Sequence, residues 1–175
     1  MRYFVFATAL GHCAIAYRSK PFAILGTSLP QPKSRLFAAA GPHPVVQSAS
    51  HPRIQQLASS MRTYFDKPPH PIAIPWDFLD MTSLTRLQQA VLAATGAIPF
   101  GQTRAYRDIA DAIGCPRAYR FVGTTLAQNP FPLVIPCHRV IRSDGSFGRF
   151  GGGTELKQTL LDLESGRAVH STASV

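Results

Sequence analysis

Early in the chain, apolar positions recur with a period of two. Phe4 and Phe6, then Cys13, Ile15 and Tyr17, alternate with other residues as the inward face of strands does. The pattern predicts strands over residues 3–7, 13–17 and 22–25, the first two joined by a turn near Gly11. Arg2 ahead of a short apolar run, with Ala14-Ile15-Ala16 beyond it, is also the outline of a secretory leader. The early Gly11-His12 and the alternation favour the hairpin. Residues 30–50 hold Pro30, Pro32, Pro42 and Pro44 among Ser and Ala, and are expected to be irregular. The period then changes to that of a helix: Ile54, Leu57, Met61 and Phe65 share one face of a helix over 52–65. Pro68, Pro69 and Pro71 end it, and a short strand over 72–74 is expected to follow.

A second helical pattern begins near residue 83. Thr82 or Ser83 is a candidate cap, Leu84, Leu87, Val91 and Leu92 form the apolar face, and Gly96 closes the helix after Thr95. Two shorter helices, over 105–113 and 117–128, flank the break Gly114-Cys115-Pro116. Such a pair is the outline of a helix–turn–helix, and equally of simple core packing. The fold class is α+β: a small N-terminal α/β domain over 1–82, a mainly helical domain over 83–167, and a disordered tail over 168–175. No apolar stretch reaches the ~20 residues needed to span a bilayer, so no membrane partner is expected.

Composition narrows the choice of partner. At 45% hydrophobic and 15% charged residues the chain is that of a folded protein. Its formal charge is +9, and both halves are positive: eight Lys/Arg against three acids in 1–82, ten against six in 83–175. Without a long like-charge run, this suits a folded basic face and an anionic partner such as nucleic acid. Cys13, Cys115 and Cys137 are odd in number and lack paired spacing, which argues against a disulfide framework and for a reducing, cytoplasmic compartment. The Cys and His residues do not cluster at ligand spacing, so no metal is expected.

The chemically unusual stretch is Asn129-Pro-Phe-Pro-Leu-Val-Ile-Pro136-Cys137-His138-Arg139-Val140. It reads as a thiol at the end of a buried strand over 133–135, fixed by Pro136, with an imidazole and a guanidinium beside it. Those neighbours favour the nucleophilic thiolate; a buried structural cysteine is the competing interpretation. Adjacent side chains on an extended segment point apart, so His138 would reach the thiol through a water. Three acids are candidates to orient the histidine. Asp144 sits in the expected turn Ser143-Asp144-Gly145, and Glu155 near a helix start capped by Thr154. Glu164 lies at the helix end, where a carboxylate opposes the dipole, and is therefore the better functional candidate.

Residues 101–164 resemble the O6-alkylguanine-DNA alkyltransferases. Pro136-Cys137-His138-Arg139-Val140 matches their active-site signature. Gly101-x-Thr103-x-x-Tyr106, Arg120-x-Val122-Gly123, Asn129-Pro130 and Gly152-Gly153 flank it at matching distances. The resemblance covers about residues 84–166, and the first domain resembles the family only loosely. It implies an N-terminal domain of the ribonuclease-H-like kind. It also implies a single-turnover, suicidal transfer of the alkyl group from O6-alkylguanine in duplex DNA to Cys137, with no cofactor. In the implied roles His138 is the base, Glu164 its orienter, Asn129 the brace of the loop and Tyr106 the donor to the departing guanine. Arg120 enters the duplex in place of the flipped base. Arg117, Arg104, Thr124, Thr125, Ala118 and Gly123 are the remaining expected DNA contacts. Phe150, Gly151, Gly152, Gly153, Lys157 and Val140 are the expected pocket. The protein is expected to act as a monomer, in the cytoplasm at the nucleoid or in a nucleus.

Three residues or stretches depart from the family's habit. Ala105 stands where a serine is common, Phe121 where a small residue is, and Arg149-Phe150-Gly151 where a polar residue, Tyr and Ser are. They leave the preference among alkyl groups, and activity on O4-alkylthymine, open. The rival functions are a non-catalytic alkyltransferase-like lesion-binding protein, a thiol hydrolase using Cys137 and His138, and a secreted basic protein. The first typically lacks the acceptor cysteine, which is present here; the second gives Arg120 no role.

Overall fold

A computed structural model describes residues 1–46, 51–66 and 69–166; the tail expected over 168–175 lies outside them. The chain opens with an antiparallel hairpin, β1 (Arg2–Thr8) and β2 (Gly11–Ser19), followed by β3 (Phe22–Thr27). The hairpin register sets Phe4 against Ile15 and Phe6 against Cys13, which places the alternating apolar set on one face. Gly11, at the turn, has φ of 123° and lies against the backbone of Gln31, a position that favours glycine.

The segment 30–46 is more ordered than its composition suggests. It holds α1 (Lys33–Ala40) and β4 (Val45–Val46), which pairs parallel with β1 to complete a sheet ordered β3-β2-β1-β4. Pro32 precedes α1 at φ of −56°, and its carbonyl accepts from Arg35 N and Leu36 N. The proline thus starts the helix instead of breaking it. Leu36 docks against Val5 and Ala14 on the sheet. Conversely, residues 72–74 form no strand. Pro71 and Pro75 flank them and supply no N–H. Ile72 is buried without a ladder, and the chain turns into a 3-10 helix at Trp76–Phe78.

Helix α2 (Pro52–Asp66) buries Ile54, Leu57, Met61 and Phe65 as its period requires, and Tyr64 as well. Helix α3 (Arg86–Gly96) starts later than expected. Thr85 caps it, accepting from Gln88 N while the Gln88 side chain accepts from Thr85 N. This capping box outcompetes Thr82, whose backbone and hydroxyl instead bond Asp80. Then come β5 (Arg104–Ala105), α4 (Tyr106–Ala112), α5 (Tyr119–Ala127), a 3-10 turn (Cys137–Arg139), β6 (Val140–Ile141) and α6 (Gly153–Glu164). β5 and β6 pair in parallel, Arg104 against Val140, a ladder the sequence did not suggest. Gly152, not Thr154, is the N-cap of α6. One apolar cluster runs from Phe4 to Leu163, across residue 82, so the two halves share a core.

Candidate functional site

The loop between α5 and the 3-10 turn is built by its own hydrogen bonds. Asn129 Nδ2 donates to the Ile135 carbonyl (3.0 Å), and Asn129 Oδ1 accepts from Phe131 N (2.9 Å). Phe131, Val134 and Ile135 are buried, and Leu133, also buried, takes a φ of 70°. A left-handed leucine costs about 1–2 kcal/mol, offset here by burial of its side chain. The expected strand over 133–135 is therefore a tight turn, with an isolated bridge from Pro132 to Ile135. Strand β3 supports it from the N-terminal half: Thr27 N donates to the Pro130 carbonyl and Thr27 Oγ1 to the Pro132 carbonyl. Cys137 consequently stands at the first residue of a 3-10 turn, not at a strand end, and is 6% exposed.

Behind it lies a buried network centred on Glu164. Its Oε1 accepts from His138 Nε2 (2.8 Å), Tyr64 Oη (2.8 Å) and Arg139 Nη2 (3.0 Å). Its Oε2 accepts from Arg139 Nε (2.8 Å) and Gly101 N (3.1 Å). Five donors saturate the carboxylate. His138 therefore carries a proton on Nε2. Its Nδ1, buried and without a hydrogen-bond partner among the described residues, holds the lone pair. Neither Asp144 nor Glu155 takes part: Asp144 accepts from Ser146 in its turn, and Glu155 lies exposed in the first turn of α6. Arg139 and Tyr64 were absent from the expected site. Arg139 was visible beside the thiol, but its role as a buried partner of Glu164 was not.

The electrostatics follow from burial. It pushes the Cys137 thiol up, against the pull of the Asn129 side chain and the Lys157 charge, so the resting thiol keeps its proton. It pulls His138 down, against the attraction of Glu164, leaving a neutral imidazole able to accept a proton. Burial also opposes the charge on Glu164, yet the bonds from His138 and Arg139 hold its carboxyl down to about 2. Lys157, fully buried, is lowered to about 8 by desolvation and donates to the Val140 carbonyl (2.6 Å). Among the described residues no group of three His, Cys, Asp or Glu is arranged to hold a metal ion.

A groove of about 790 Å³ has walls that include Tyr106, Tyr119, Arg120, Thr124, Arg142 and Arg149; Cys137 is not among its lining residues. Tyr106 opens α4 and is half-buried; burial raises its hydroxyl, and a thiolate at Cys137 would raise it further. The hydroxyl end of its ring lies so close to Gly148 that a side chain there would collide with it, and Gly123 leaves room near the Cδ1–Cε1 edge. Arg120 and Arg117 are exposed, and Arg104 is exposed with its guanidinium on Thr103 O and Gln102 Oε1. Ala118 is half-buried just ahead of α5.

Several expected positions differ. Thr125 is buried on the inner face of α5, so it offers no contact to a ligand in the groove. Val140 and Lys157 are wholly buried, which makes them supports rather than walls. Gly151 and Gly152 approach Leu29 of the N-terminal half, Gly153 N donates to the Phe150 carbonyl, and Phe150 is half-buried beside Lys157. The groove wall in this region is Gly148 and Arg149 instead. No helix among the described residues is long and apolar enough to cross a membrane.

Residues 86–166 match the family described as 6-O-methylguanine DNA methyltransferase, DNA binding domain. The chain is 48% identical over 84 residues to the methylated-DNA–protein-cysteine methyltransferase of Mycobacterium tuberculosis, covering 48% of this chain and 51% of that one. It is 49% identical over 80 residues to the inducible methyltransferase of that name from Bacillus subtilis, covering 46% and 45%. The chain thus spans about half the length of the curated relatives it matches. A crystal structure of Mycobacterium tuberculosis OGT in complex with DNA superposes with a TM-score of 0.75 at 29% identity, covering 96% of this chain and 95% of that one.

Proposed function

We infer that this chain, whose residues 86–166 belong to the DNA-binding domain family of the 6-O-methylguanine DNA methyltransferases, repairs alkylated DNA by direct reversal. The substrate is duplex DNA containing O6-alkylguanine, and the acceptor is Cys137. The carrying observation is the buried His138–Glu164 pair, 2.8 Å apart, next to a thiol that burial keeps protonated. His138 Nδ1 takes the thiol proton, directly or through a water, and Glu164 stabilises the imidazolium that results. The thiolate attacks the alkyl carbon; the S–C bond forms as the C–O6 bond breaks, and the electron pair stays on guanine. Tyr106 donates to that leaving group. The thioether has no ready hydrolysis route, so each molecule acts once.

A guanine inside the stack is out of reach, so the nucleotide must flip out of the stack to meet Cys137, at a cost of a few kcal/mol. Helices α4 and α5 act as a helix–turn–helix, and Arg120 fills the space the base leaves. The division at residue 82, an N-terminal domain of the ribonuclease-H-like kind, action as a monomer, and work in the cytoplasm or nucleus belong to the same proposal.

The test is to incubate the protein with duplex DNA carrying labelled O6-methylguanine and digest it for mass analysis. A methyl group on the Cys137 peptide is the expected result. Stoichiometric binding of the lesion without transfer would select a lesion-binding protein instead.

Two variants probe the groove. Arg120→Ala is expected to slow transfer roughly 10–100-fold while affinity for undamaged duplex changes far less; equal losses in both would count against insertion. In Gly148→Ala the new methyl would collide with the Tyr106 hydroxyl and the edge of its ring, so the ring must shift. Displacing a donor by about 1 Å costs up to about 100-fold, so transfer should drop by that order with a near-normal melting curve. A wild-type transfer rate in this variant would remove Tyr106 from the reaction.

A further inference from the structure

The network around Glu164 contains one side chain that neither the active-site loop nor α6 supplies. Tyr64 comes from α2, in the N-terminal half, and is 1% exposed. Its hydroxyl donates to Glu164 Oε1 at 2.8 Å and lies 3.4 Å from His138 Nε2. Its ring packs edge-on to Phe65, Phe100 and His138. A phenylalanine would fill the same volume. A buried hydroxyl is costly unless bonded, and this one is bonded to the oxygen that receives the His138 proton donor.

We propose that Tyr64 is a positioning residue of the transfer reaction, holding Glu164 so that His138 keeps its proton on Nε2 and presents Nδ1 to the Cys137 thiol. The proposal rests on the alkyl transfer inferred above. Its physical content is a balance of charge. The phenol is a neutral donor, so it spreads the charge of the carboxylate without cancelling it. With the hydroxyl present, Glu164 orients the imidazole but does not hold an imidazolium so tightly that His138 is already protonated at rest. The hydroxyl oxygen also stands within reach of the Nε2 proton, limiting ring rotation.

The titratable groups around His138 are few. Tyr64 faces it from α2, Glu164 and Lys157 from α6, and Cys137 and Arg139 from its own turn. Helix α3, also packed on that turn, carries only Arg86, exposed at its first position. Arg139 and Lys157 both oppose protonation of His138, and Glu164 alone favours it. Removing the Tyr64 donor strengthens the Glu164 side of this balance, so protonation of His138 should move to higher pH.

The experiment compares wild type with Tyr64→Phe across the range in which histidine titrates. Three quantities are followed: alkylation of Cys137 by iodoacetamide, methyl transfer from an O6-methylguanine duplex, and the His138 ring signals by NMR. In the variant the acid limb of both rates should shift up by about one pH unit, with the NMR midpoint, so that on that limb transfer should fall about tenfold. Affinity for the duplex should be unchanged. A folded variant whose acid limb and NMR midpoint stay at the wild-type positions would overturn the proposal. Should Tyr64→Phe fail to fold, 3-fluorotyrosine at position 64 keeps the hydroxyl and makes it a stronger donor. The limb must then move to lower pH, and an unmoved limb rejects the role. If wild type transfers nothing from DNA while its iodoacetamide profile still responds to Tyr64, the inferred function fails and only the hold of Tyr64 on His138 beside the thiol stands.

Discussion

Cys137→Ala should reduce methyl transfer to the background of the assay while leaving affinity for lesion-containing duplex close to wild type. The loss is complete because no second nucleophile can substitute. Cys13 is wholly buried in β2, and its thiol is pushed up to about 12 by desolvation. Cys115 sits half-buried at the break between α4 and α5. Lys157 is fully buried and occupied by the Val140 carbonyl. The groove inferred to receive the duplex, by contrast, is lined by side chains on α4, α5 and the 142–149 segment and not by the sulfur. The loop should also survive, since Asn129 ties it through backbone groups of Phe131 and Ile135. Mass analysis of the digested protein after incubation with labelled duplex reads the transfer, and a gel-shift titration reads the binding. Label appearing anywhere on the variant would dismiss Cys137 as the acceptor; loss of binding in step with transfer would mean that the thiol shapes the groove rather than reacts in it.

Much of the site was legible because its chemistry is compressed into short runs. Asn129, Cys137 and His138 lie within ten residues. Glu164 stood out because a carboxylate at a helix C-terminus is locally unfavourable and needs a partner elsewhere. It has four: His138, Arg139, Tyr64 and the backbone of Gly101. What stayed hidden were partners brought by tertiary contact. Tyr64 sits on a helical face already accounted for as core, and nothing in its spacing separates a tyrosine that fills volume from one that donates a bond. Local chemistry also misled. The prolines of 30–46 signalled irregularity, yet Pro32 starts α1. The apolar run 133–135 looked like a strand, but Asn129 and the prolines on either side close it into a turn. Thr125, a DNA contact by the resemblance, lies on the buried face of α5.

The same tertiary dependence bears on the two halves. β3 props the active-site loop through Thr27, and α2 reaches Glu164 through Tyr64. Both supports come from residues before 82, although the family match starts only at residue 86. The first half is thus structurally part of the site, not an appendage to it.

Glu164→Gln should be the most destabilising of the conservative changes in this protein. The carboxylate accepts five hydrogen bonds, and a carboxamide of the same shape can accept at one end only. Its NH2 must confront a donor from Arg139, Gly101, His138 or Tyr64. More serious is the charge: the Arg139 side chain is 8% exposed and would be left as a buried cation with no counter-ion. Removing one partner of a buried pair costs about 3–5 kcal/mol, equivalent here to a fall in Tm of roughly 6–20 °C. Transfer should fall as well, since His138 loses both its orientation and the charge that stabilises the imidazolium. Acid unfolding separates the charge from the shape. In the folded wild type the Glu164 carboxyl is held at about 2 instead of 4.5. The folded state therefore favours the ionised form, and the stability this confers is fully present above about pH 4.5 and is lost as pH falls toward 2. The variant, with nothing to protonate at position 164, should show a shallower loss over that window. What slope remains belongs to other lowered carboxyls such as Asp80 and Asp144. Chemical denaturation at a series of pH values measures both effects. A variant as stable as wild type at neutral pH, or one that keeps the full acid slope, would mean that the Glu164–Arg139 pair does not hold this core together.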